Sequence, residues 1–479
     1  SKPVRKRCVM MLNNNIKKHL LFNGIKANVT GTRDRVNVEG DSDMISEILS
    51  RIAGIAHFME VETFLLPEKE DEIFDFVFLR AKDFYLDKIE NKTFVARVKR
   101  SGIHNFRSID LERYVGGGLL KFANNTSVKI KNADITVKIE IKDKKVHIIK
   151  YRIKGIGGYP VGFQDKVLSL ISGGFDSGVS TYSMMKRGCQ VDYLFFNLGG
   201  SAHELGVKQV AYYLWKTFSI PHKRARFITI NFEEVIAELL TKTNHRFRGI
   251  LLKRFMLKVA SIISKDHYFA LVKGDSLGQV SSQTLKNMHV IDKASTNLVL
   301  RPLIADNKQE IIDISKEIGT YNFACNMPEY CGVISDKPAT GAKLEDIINE
   351  EEKISEEILE KAIELRKTEF VREMMEQYEG KDASELEVVF LPGENEIVID
   401  IREDAEKKKK PLILDKTKIL EIPFFKINHK FKDLEKNKIY LFYCDKGILS
   451  NLHGLYLKEK GYNNIKIYRK IEGESSCNI

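Results

Sequence analysis

The chain has 479 residues, 43% of them hydrophobic, which suits a soluble protein of two to four domains with several sizeable cores. It carries 77 Lys+Arg against 66 Asp+Glu, a net charge of +11, and residues 1–165 alone hold 30 basic and 21 acidic side chains, so a polyanion such as tRNA is expected ahead of a membrane. No apolar run reaches the length of a membrane span, no signal peptide is visible, and six cysteines in so long a chain do not make a secreted disulfide framework, so a reducing cytoplasm is the natural setting.

The chain opens on Ser1 rather than Met, which raises the expectation of a shortened N-terminus. Residues 1–60 read as helix, strand, helix, strand: residues 7–22 have helical periodicity, residues 36–39 alternate, and residues 43–53 are helical again. That is a small α+β unit compatible with a ferredoxin-like layer. Residues 61–165 form a second α+β unit. Residues 94–100 are a strand ending in cations, and residues 108–120 a helix with Gly116-Gly117-Gly118 near its end. Residues 135–141 and 145–149 alternate on either side of Lys142-Asp143-Lys144, a hairpin signature. Gly155, Gly157, Gly158 and Pro160 mark a linker.

Residues 166–342 alternate strand and helix. Strands are expected at 167–171, 191–198, 227–232 and 269–273, with helices at 204–218 and 249–265 between them. This pattern argues a parallel sheet with its ligand at the strand C-termini. At one such end stands Ser172-Gly173-Gly174-Phe175-Asp176-Ser177, between an apolar strand and a helical segment. Two glycines let backbone approach an anion, and the helix start points N–H groups at it. Ser172 and Ser177 add hydroxyls, and Asp176 is placed to meet Mg²⁺ or orient a reacting group. No Gly-Lys-Ser/Thr closes the loop, so it is not a Walker sequence.

Residues 343–378 are charged and read as solvated connecting helices, within a helical linker over 343–390. The last unit covers 391–471, with a tail at 472–479. Residues 396–402 are a strand running into Asp and Arg, and residues 439–443 a strand that delivers Cys444 to its C-terminal end. Backbone N–H groups of the following loop, a helix N-terminus and Lys446 would all favour thiolate at Cys444, and a thiolate so held can carry a sulfane sulfur. Cys331 sits between Pro328 and Gly332 on a loop beyond the first parallel sheet, and Cys325 and Cys331 have no standard zinc spacing, so no metal site is expected. Cys8, Cys189 and Cys477 are expected to be inert.

Taken together, the chain resembles the bacterial tRNA uracil 4-sulfurtransferase family (ThiI-type) in its long form, with a C-terminal rhodanese domain. The resemblance runs in order through Arg97-Val98-Lys99-Arg100, the segment from Ile109 to Gly118, the loop from Leu170 to Ser177, Phe195-Phe196-Asn197-Leu198-Gly199-Gly200, Leu277-Gly278-Gln279-Val280-Ser281-Ser282-Gln283-Thr284, Arg301-Pro302-Leu303-Ile304, the segment from Pro328 to Ser335, and the Cys444 loop. It implies four domains: ferredoxin-like, THUMP RNA-binding, Rossmann-like PP-loop ATP pyrophosphatase with a parallel sheet, and rhodanese. It implies an ATP site, with Mg²⁺, at Ile171, Ser172, Lys253, Gly274 and Gln283, with Asp176 as the loop's catalytic carboxylate; the loop's own chemistry adds Gly173, Gly174 and Ser177 to that site. It further implies Cys444 as persulfide carrier and Cys331 as the cysteine that forms a disulfide with it. The chain departs from the family at Ser1, where one more strand usually precedes, and at Asp275, where Glu is expected.

The activity so implied is conversion of uridine at the eighth position of tRNA to 4-thiouridine. Adenylation turns the C4 oxygen into a good leaving group, and sulfur from Cys444 replaces it, by direct attack or as hydrosulfide released with Cys331. Implied partners are tRNA, a cysteine desulfurase, a cellular thiol reductant and a sulfur-carrier protein for thiamine thiazole synthesis. A homodimer also fits the family, although no stripe in this sequence marks one. Lys99, Arg100, Arg107, Arg113 and Lys121 are candidate phosphate contacts. A tRNA 2-thiolase or amidating ligase, a thiamine-only sulfur donor and a non-catalytic RNA scaffold are the rival readings.

Overall fold

The computed structural model describes residues 2–31, 35–40, 44–198, 200–325, 327, 337–374, 386–402, 407–408, 410–414, 417–423, 427, 430–444 and 448–470. The chain divides into two compact units, Ser1–Gly24 with Asn28–Val38 and Tyr159–Ile479, and Ile25–Ala27 with Glu39–Gly158. The first 60 residues are therefore shared between them. Helix α1 (Lys2–Phe22) and the two-stranded sheet β1 (Asn28–Gly31) and β2 (Val36–Glu39) belong to the first unit. Ile16 and Leu20 of α1 are buried, Asn15 donates to the Val161 carbonyl at 3.0 Å, and Phe22 meets Trp215 edge-on at 5.6 Å.

The second unit runs α2 (Met44–Ser50), β3 (His57–Leu65), α3 (Glu70–Ile89), β4 (Thr93–Ser101), α4 (Ser108–Phe122), β5 (Ser127–Val128), β6 (Ile135–Lys142) and β7 (Lys145–Lys154). The strand expected to close residues 1–60 is β3, and it pairs antiparallel with β7 in a sheet of order β3-β7-β6-β4-β5. The expected hairpin is β6 and β7, and Asp143 takes the left-handed φ of 53° that its turn needs. Val77, Ala81, Leu111 and Val115 of α3 and α4 close over Val98, Val137 and Ile148 of the sheet. Gly118 is required where the helices meet, since a Cβ there would come within 2.5 Å of the Phe78 ring.

The rest of the first unit holds two parallel sheets. The larger has order β12-β11-β8-β9-β10-β13, built from β8 (Lys166–Leu170), β9 (Gln190–Asn197), β10 (Arg226–Asn231), β11 (Ala270–Val272), β12 (Leu298–Leu300) and β13 (Lys367–Phe370). Every pairing is parallel except that of β13. Its helices are α5 (Phe175–Lys186), α6 (Gly200–Phe218), α7 (Glu233–Lys242), α8 (Arg248–Ser264), α9 (Leu285–Asp292), α10 (Lys308–Glu317) and α11 (Tyr321–Ala324). Residues 191–196 of β9 are all buried, as a strand covered on both faces requires.

The charged run after residue 343 differs from expectation. Helices α12 (Leu344–Glu351) and α13 (Glu356–Glu364) place Ile347, Leu359 and Ala362 in the core beside Leu251 and Phe255 of α8, so they are packed elements rather than solvated connections. The helical pattern then stops. Thr368 and Phe370 favour extended backbone, and β13 adds an antiparallel edge to β10; at the start of the helical turn that follows, the Val371 N–H donates to the Ala225 carbonyl at 2.8 Å.

The smaller sheet has order β14-β18-β17-β15-β16: β14 (Val388–Val389), β15 (Glu396–Asp400), β16 (Ile419–Glu421), β17 (Ile439–Tyr443) and β18 (Ile465–Tyr468), all parallel. Helix α14 (Ile448–Glu459) packs on β17, β18 and α6. Phe323 of α11 also packs against this sheet's core, with its ring 5.2 Å from that of Tyr213 on α6.

Arg254 of α8 is buried and forms a two-pronged pair with Glu351, at 2.7 Å and 3.0 Å, while donating to the Val290 carbonyl. Burial raises the Glu351 carboxyl, and the Arg254 hydrogen bonds and charge outweigh it, so its pKa lies below the ordinary value. Glu351→Ala leaves a buried guanidinium without its partner and is expected to cost about 3–5 kcal/mol in urea unfolding at neutral pH. The depressed pKa gives the sign: Glu351's contribution is present at neutral pH and fades as pH falls through that pKa, so the gap between the two proteins narrows in acid.

Candidate functional site

Strands β9 and β10 lie to one side of β8, and β11 and β12 to the other. The order reverses between β8 and β11, and a crevice at such a switch point, beyond the strand C-termini, is where open α/β sheets bind ligands. Residues 171–174 leave β8 there and turn into α5. Gly173 has φ of 82°, a left-handed value that glycine accepts without strain. Ser177 on the first turn of α5 gathers the loop: its Oγ takes the Ser172 N–H at 3.2 Å, lies 3.2 Å from Ser172 Oγ and donates to the Gly174 carbonyl at 3.1 Å. Ile171 donates its N–H to the Leu194 carbonyl of β9 at 2.9 Å. His203 of α6 lies with Nε2 3.3 Å from the Ser172 carbonyl, and burial lowers its pKa. With Nε2 carrying the proton, the neutral ring donates to that carbonyl.

Residues 273–275 leave β11 on the other side of the crevice. A Cβ on Gly274 would meet Asp176 backbone at 2.6 Å, so only glycine fits. Asp275 follows and is buried under three cations, Lys273 Nζ at 2.9 Å, Lys253 Nζ at 3.2 Å and Arg301 Nε at 3.2 Å. Gln283 donates to the same carboxylate at 3.2 Å. Burial raises the Asp275 carboxyl, but Lys273 and Lys253 outweigh it and hold it well below the usual carboxylate range. Burial also lowers the Lys273 ammonium, more than Asp275 restores. The structure thus brings Lys253, Gly274 and Gln283 into one crevice with Ile171, Ser172, Gly173, Gly174, Asp176 and Ser177.

Sequence reasoning missed several residues of this crevice. Asp176 binds Lys308 Nζ at 2.9 Å through one oxygen and Gln279 Nε2 at 2.8 Å through the other. Lys308 opens α10, 132 positions along the chain from Asp176, and no local pattern announces it. Arg301 and Gln279 stand inside the matching motifs without a role, Lys273 has only the ordinary look of a strand end, and Asp275 shows in the sequence only as an acid shorter than the Glu expected there. Met327 packs over the phosphate loop: a Cβ on Gly206 would meet its Cε at 2.5 Å, and one on Gly173 would meet it at 3.1 Å.

Cys444 ends β17 at the smaller sheet's own switch point, between β15 and β17. It is buried, and it already receives an N–H from the first turn of α14: Ser450 N lies 3.4 Å from Sγ, and Ser450 Oγ also stands at 3.4 Å. Past the end of the neighbouring strand β15, Arg402 is buried, paired with Asp400 at 2.7 Å and 3.0 Å, with its guanidinium 4.9 Å from the Tyr443 ring. Lys446, Cys331 and Cys477 lie outside the described residues. Burial pushes the Cys189 thiol up to about 11 and raises that of Cys8, which keeps both protonated at neutral pH.

On the second unit, Lys99, Arg107, Arg113 and Lys121 are exposed and Arg100 is half-buried. Arg113, Gly117 and Lys121 lie at i, i+4 and i+8 on one stripe of α4, with open space over Gly117. Bare helix backbone between two cations lets a phosphate chain come close. Arg107 spends its guanidinium on Asp110, at 3.0 Å through each prong. Arg100 donates to the His104 carbonyl at 3.2 Å and lies over Phe106.

Comparison with known proteins matches three stretches of the chain. Residues 67–149 match the THUMP domain, residues 162–356 the family described as thiamine biosynthesis protein (ThiI), and residues 383–470 the rhodanese-like domain. The tRNA sulfurtransferase of Shigella dysenteriae serotype 1 is 45% identical over 474 residues, covering 98% of this chain and 97% of that protein. That of Shewanella sp. strain W3-18-1 is 46% identical over 476 residues with the same coverage. Among solved structures, a 4-thiouridine synthetase–RNA complex with bound ATP superposes with a TM-score of 0.67 at 26% identity, over 77% of this chain and 96% of that one. With near-complete coverage at this identity, and with the phosphate loop and the strand-end cysteine each at a switch point, the chain belongs to the tRNA sulfurtransferase family and is a sulfurtransferase.

Proposed function

We propose that the chain uses ATP to activate the C4 oxygen of uridine at the eighth position of tRNA and replaces it with sulfur carried on Cys444, giving 4-thiouridine. One observation carries the reading: the crevice between β8 and β11 joins an anion-binding loop to the Lys253, Gly274 and Gln283 cluster, in a chain whose second parallel sheet presents a cysteine to a helix N-terminus. The N–H groups and hydroxyls of residues 172–177 would hold phosphate oxygens, and Lys253 would stabilise charge growing on the departing pyrophosphate. The residues fit an Mg²⁺ carried on the triphosphate. Among the described residues no three His, Cys, Asp or Glu converge, and Asp176 offers the carboxylate at the loop, which suits an ion held by one or two carboxylates and substrate phosphates. Bound there, Mg²⁺ would neutralise phosphate charge. Lys308 and Gln279 each hold one oxygen of the Asp176 carboxylate.

A cysteine desulfurase would load Cys444 as a persulfide, whose charge the Ser450 N–H is aimed to stabilise. Two routes deliver the sulfur. In one, the terminal sulfur attacks C4, AMP leaves, and the Cys331 thiolate attacks Sγ of Cys444 to release the thiocarbonyl. In the other, Cys331 attacks the persulfide first and frees hydrosulfide, which attacks C4. Both end in a Cys331–Cys444 disulfide that a cellular thiol reductant must reset. Because Cys444 is buried and α14 packs on α6, delivery needs the smaller sheet to shift. Thiol chemistry reset by a reductant, on a tRNA, favours a cytoplasmic setting. Transfer from Cys444 to a sulfur-carrier protein for thiamine synthesis is a second use of the same persulfide.

Incubation with tRNA, ATP, Mg²⁺, cysteine and a desulfurase should yield 4-thiouridine by nucleoside mass spectrometry, and nothing without ATP; a different thionucleoside would refute the assignment. Asp176→Ala should abolish the product while tRNA binding persists. Cys444→Ala should abolish persulfide labelling by the desulfurase. Cys331→Ala should accept sulfur yet stop multiple turnover under a mild thiol reductant.

The RNA interface gives a separate expectation. Arg113→Ala and Lys121→Ala should each weaken tRNA binding and flatten its log–log salt dependence by about 0.7–0.9 per lost phosphate contact. Asp110→Asn should strengthen binding, because it releases Arg107 from its carboxylate. Salt-titrated filter binding checks both signs.

A further inference from the structure

We propose that Asp275 is the positioning residue of the nucleotide site, fixing through one carboxylate oxygen both where the Lys253 ammonium stands and which way the Gln283 amide faces. The inference rests on the reading of this crevice as the ATP site. The two oxygens have different neighbours. Oδ2 lies 2.9 Å from Lys273 Nζ and 3.2 Å from Arg301 Nε, and Arg301 is tied in turn to Asp292 at 2.5 Å and 2.8 Å. Oδ1 accepts from Lys253 Nζ and from Gln283 Nε2, each at 3.2 Å.

That arrangement orients Gln283. A carboxylate can only accept, so the amide must present its NH₂ to Asp275 and turn its carbonyl away. Gln283 is 6% exposed, and its Oε1 has no hydrogen-bond partner among the described residues. A buried acceptor left without a donor is unfavourable, so a ligand O–H or N–H reaching it is favoured. Beside it stands Lys253, held on the same oxygen. An acceptor next to a cation matches a hydroxyl next to a phosphate, as the ribose and α-phosphate of a nucleotide present them. The charges agree. Among the described residues the acids paired with Lys253, Lys273 and Arg301 are Asp275 and Asp292, which leaves a positive surplus for an anion.

An Asn at 275 would offer one acceptor and turn a donor towards cations, freeing Lys253 or Gln283. A Glu keeps both acceptors on a longer stem. The test is tRNA-dependent pyrophosphate release with ATP varied, in the wild type, Asp275→Asn and Asp275→Glu. Asp275→Asn should lower kcat by about 100-fold, the cost of a misplaced catalytic group, and raise KM for ATP because Lys253 and Gln283 both touch nucleotide. Asp275→Glu should recover at least about tenfold of that loss. Asp275→Asn also leaves Lys273 buried without its counter-charge, so the double variant Lys273→Met/Asp275→Asn removes both charges, and the folded double variant should show the same loss. A folded variant lacking the carboxylate with wild-type kcat and KM would overturn the proposal, as would Glu no better than Asn, or a lower kcat at unchanged KM that tracks the loss of folded protein. Failure of the wild type to release pyrophosphate would instead sink the reading of the site itself.

Discussion

The backbone of Gly274 rests against the backbone of Asp176 and Ser177, and that approach holds the larger site together. It brings the loop after β8 and the loop after β11 into van der Waals contact at the switch point between those two parallel strands. One face of the crevice is then N–H groups and hydroxyls, and the other is the cation cluster around Asp275. A side chain at 274 would separate the halves, since its first carbon would have to displace main chain rather than a mobile tip. Neither half alone could grip a polyphosphate at both ends.

The nucleotide crevice and the sulfur-bearing sheet meet through α6 and α11. Phe175, the first residue of α5, lies 5.5 Å from Tyr321 of α11, while Phe323 of the same short helix packs into the core under Cys444. Met327 then lies over the phosphate loop. The chain that leads to Cys331 therefore departs from the seam between the two chemistries.

Much of this was legible in order along the chain. Strand, glycine turn and helix at Ser172-Gly173-Gly174, and strand, Cys and helix at Cys444, are local signals, because each element is fixed by residues within a few positions of it. The fold class followed from alternating strands and helices, and the family from motifs in sequence. The misses share a cause. Strand β13 was hidden in a charged run because its extended state is decided by a partner, β10, about 140 positions earlier. Lys308 and Arg301 carry no neighbourhood pattern, since what makes them site residues is a carboxylate brought to them by the sheet. At Asp275 the sequence shows a shorter acid where a longer one was expected, but not that four side chains converge on it. Arg107 looks available for RNA in the sequence, but in the fold Asp110 already holds it.

The pairing of Arg254 with Glu351 and of β10 with β13 also sets where the ATP-handling portion can be excised. A cut after residue 342 would strip a counter-ion from a guanidinium deep in α8 and bare the hydrogen-bonding rim of β10. Val371 and Met374, both fully buried, extend the same dependence beyond the strand itself. A self-sufficient nucleotide module therefore ends past Met374, and the stretch that looks from its charge like a tether supplies the outermost strand of the open sheet.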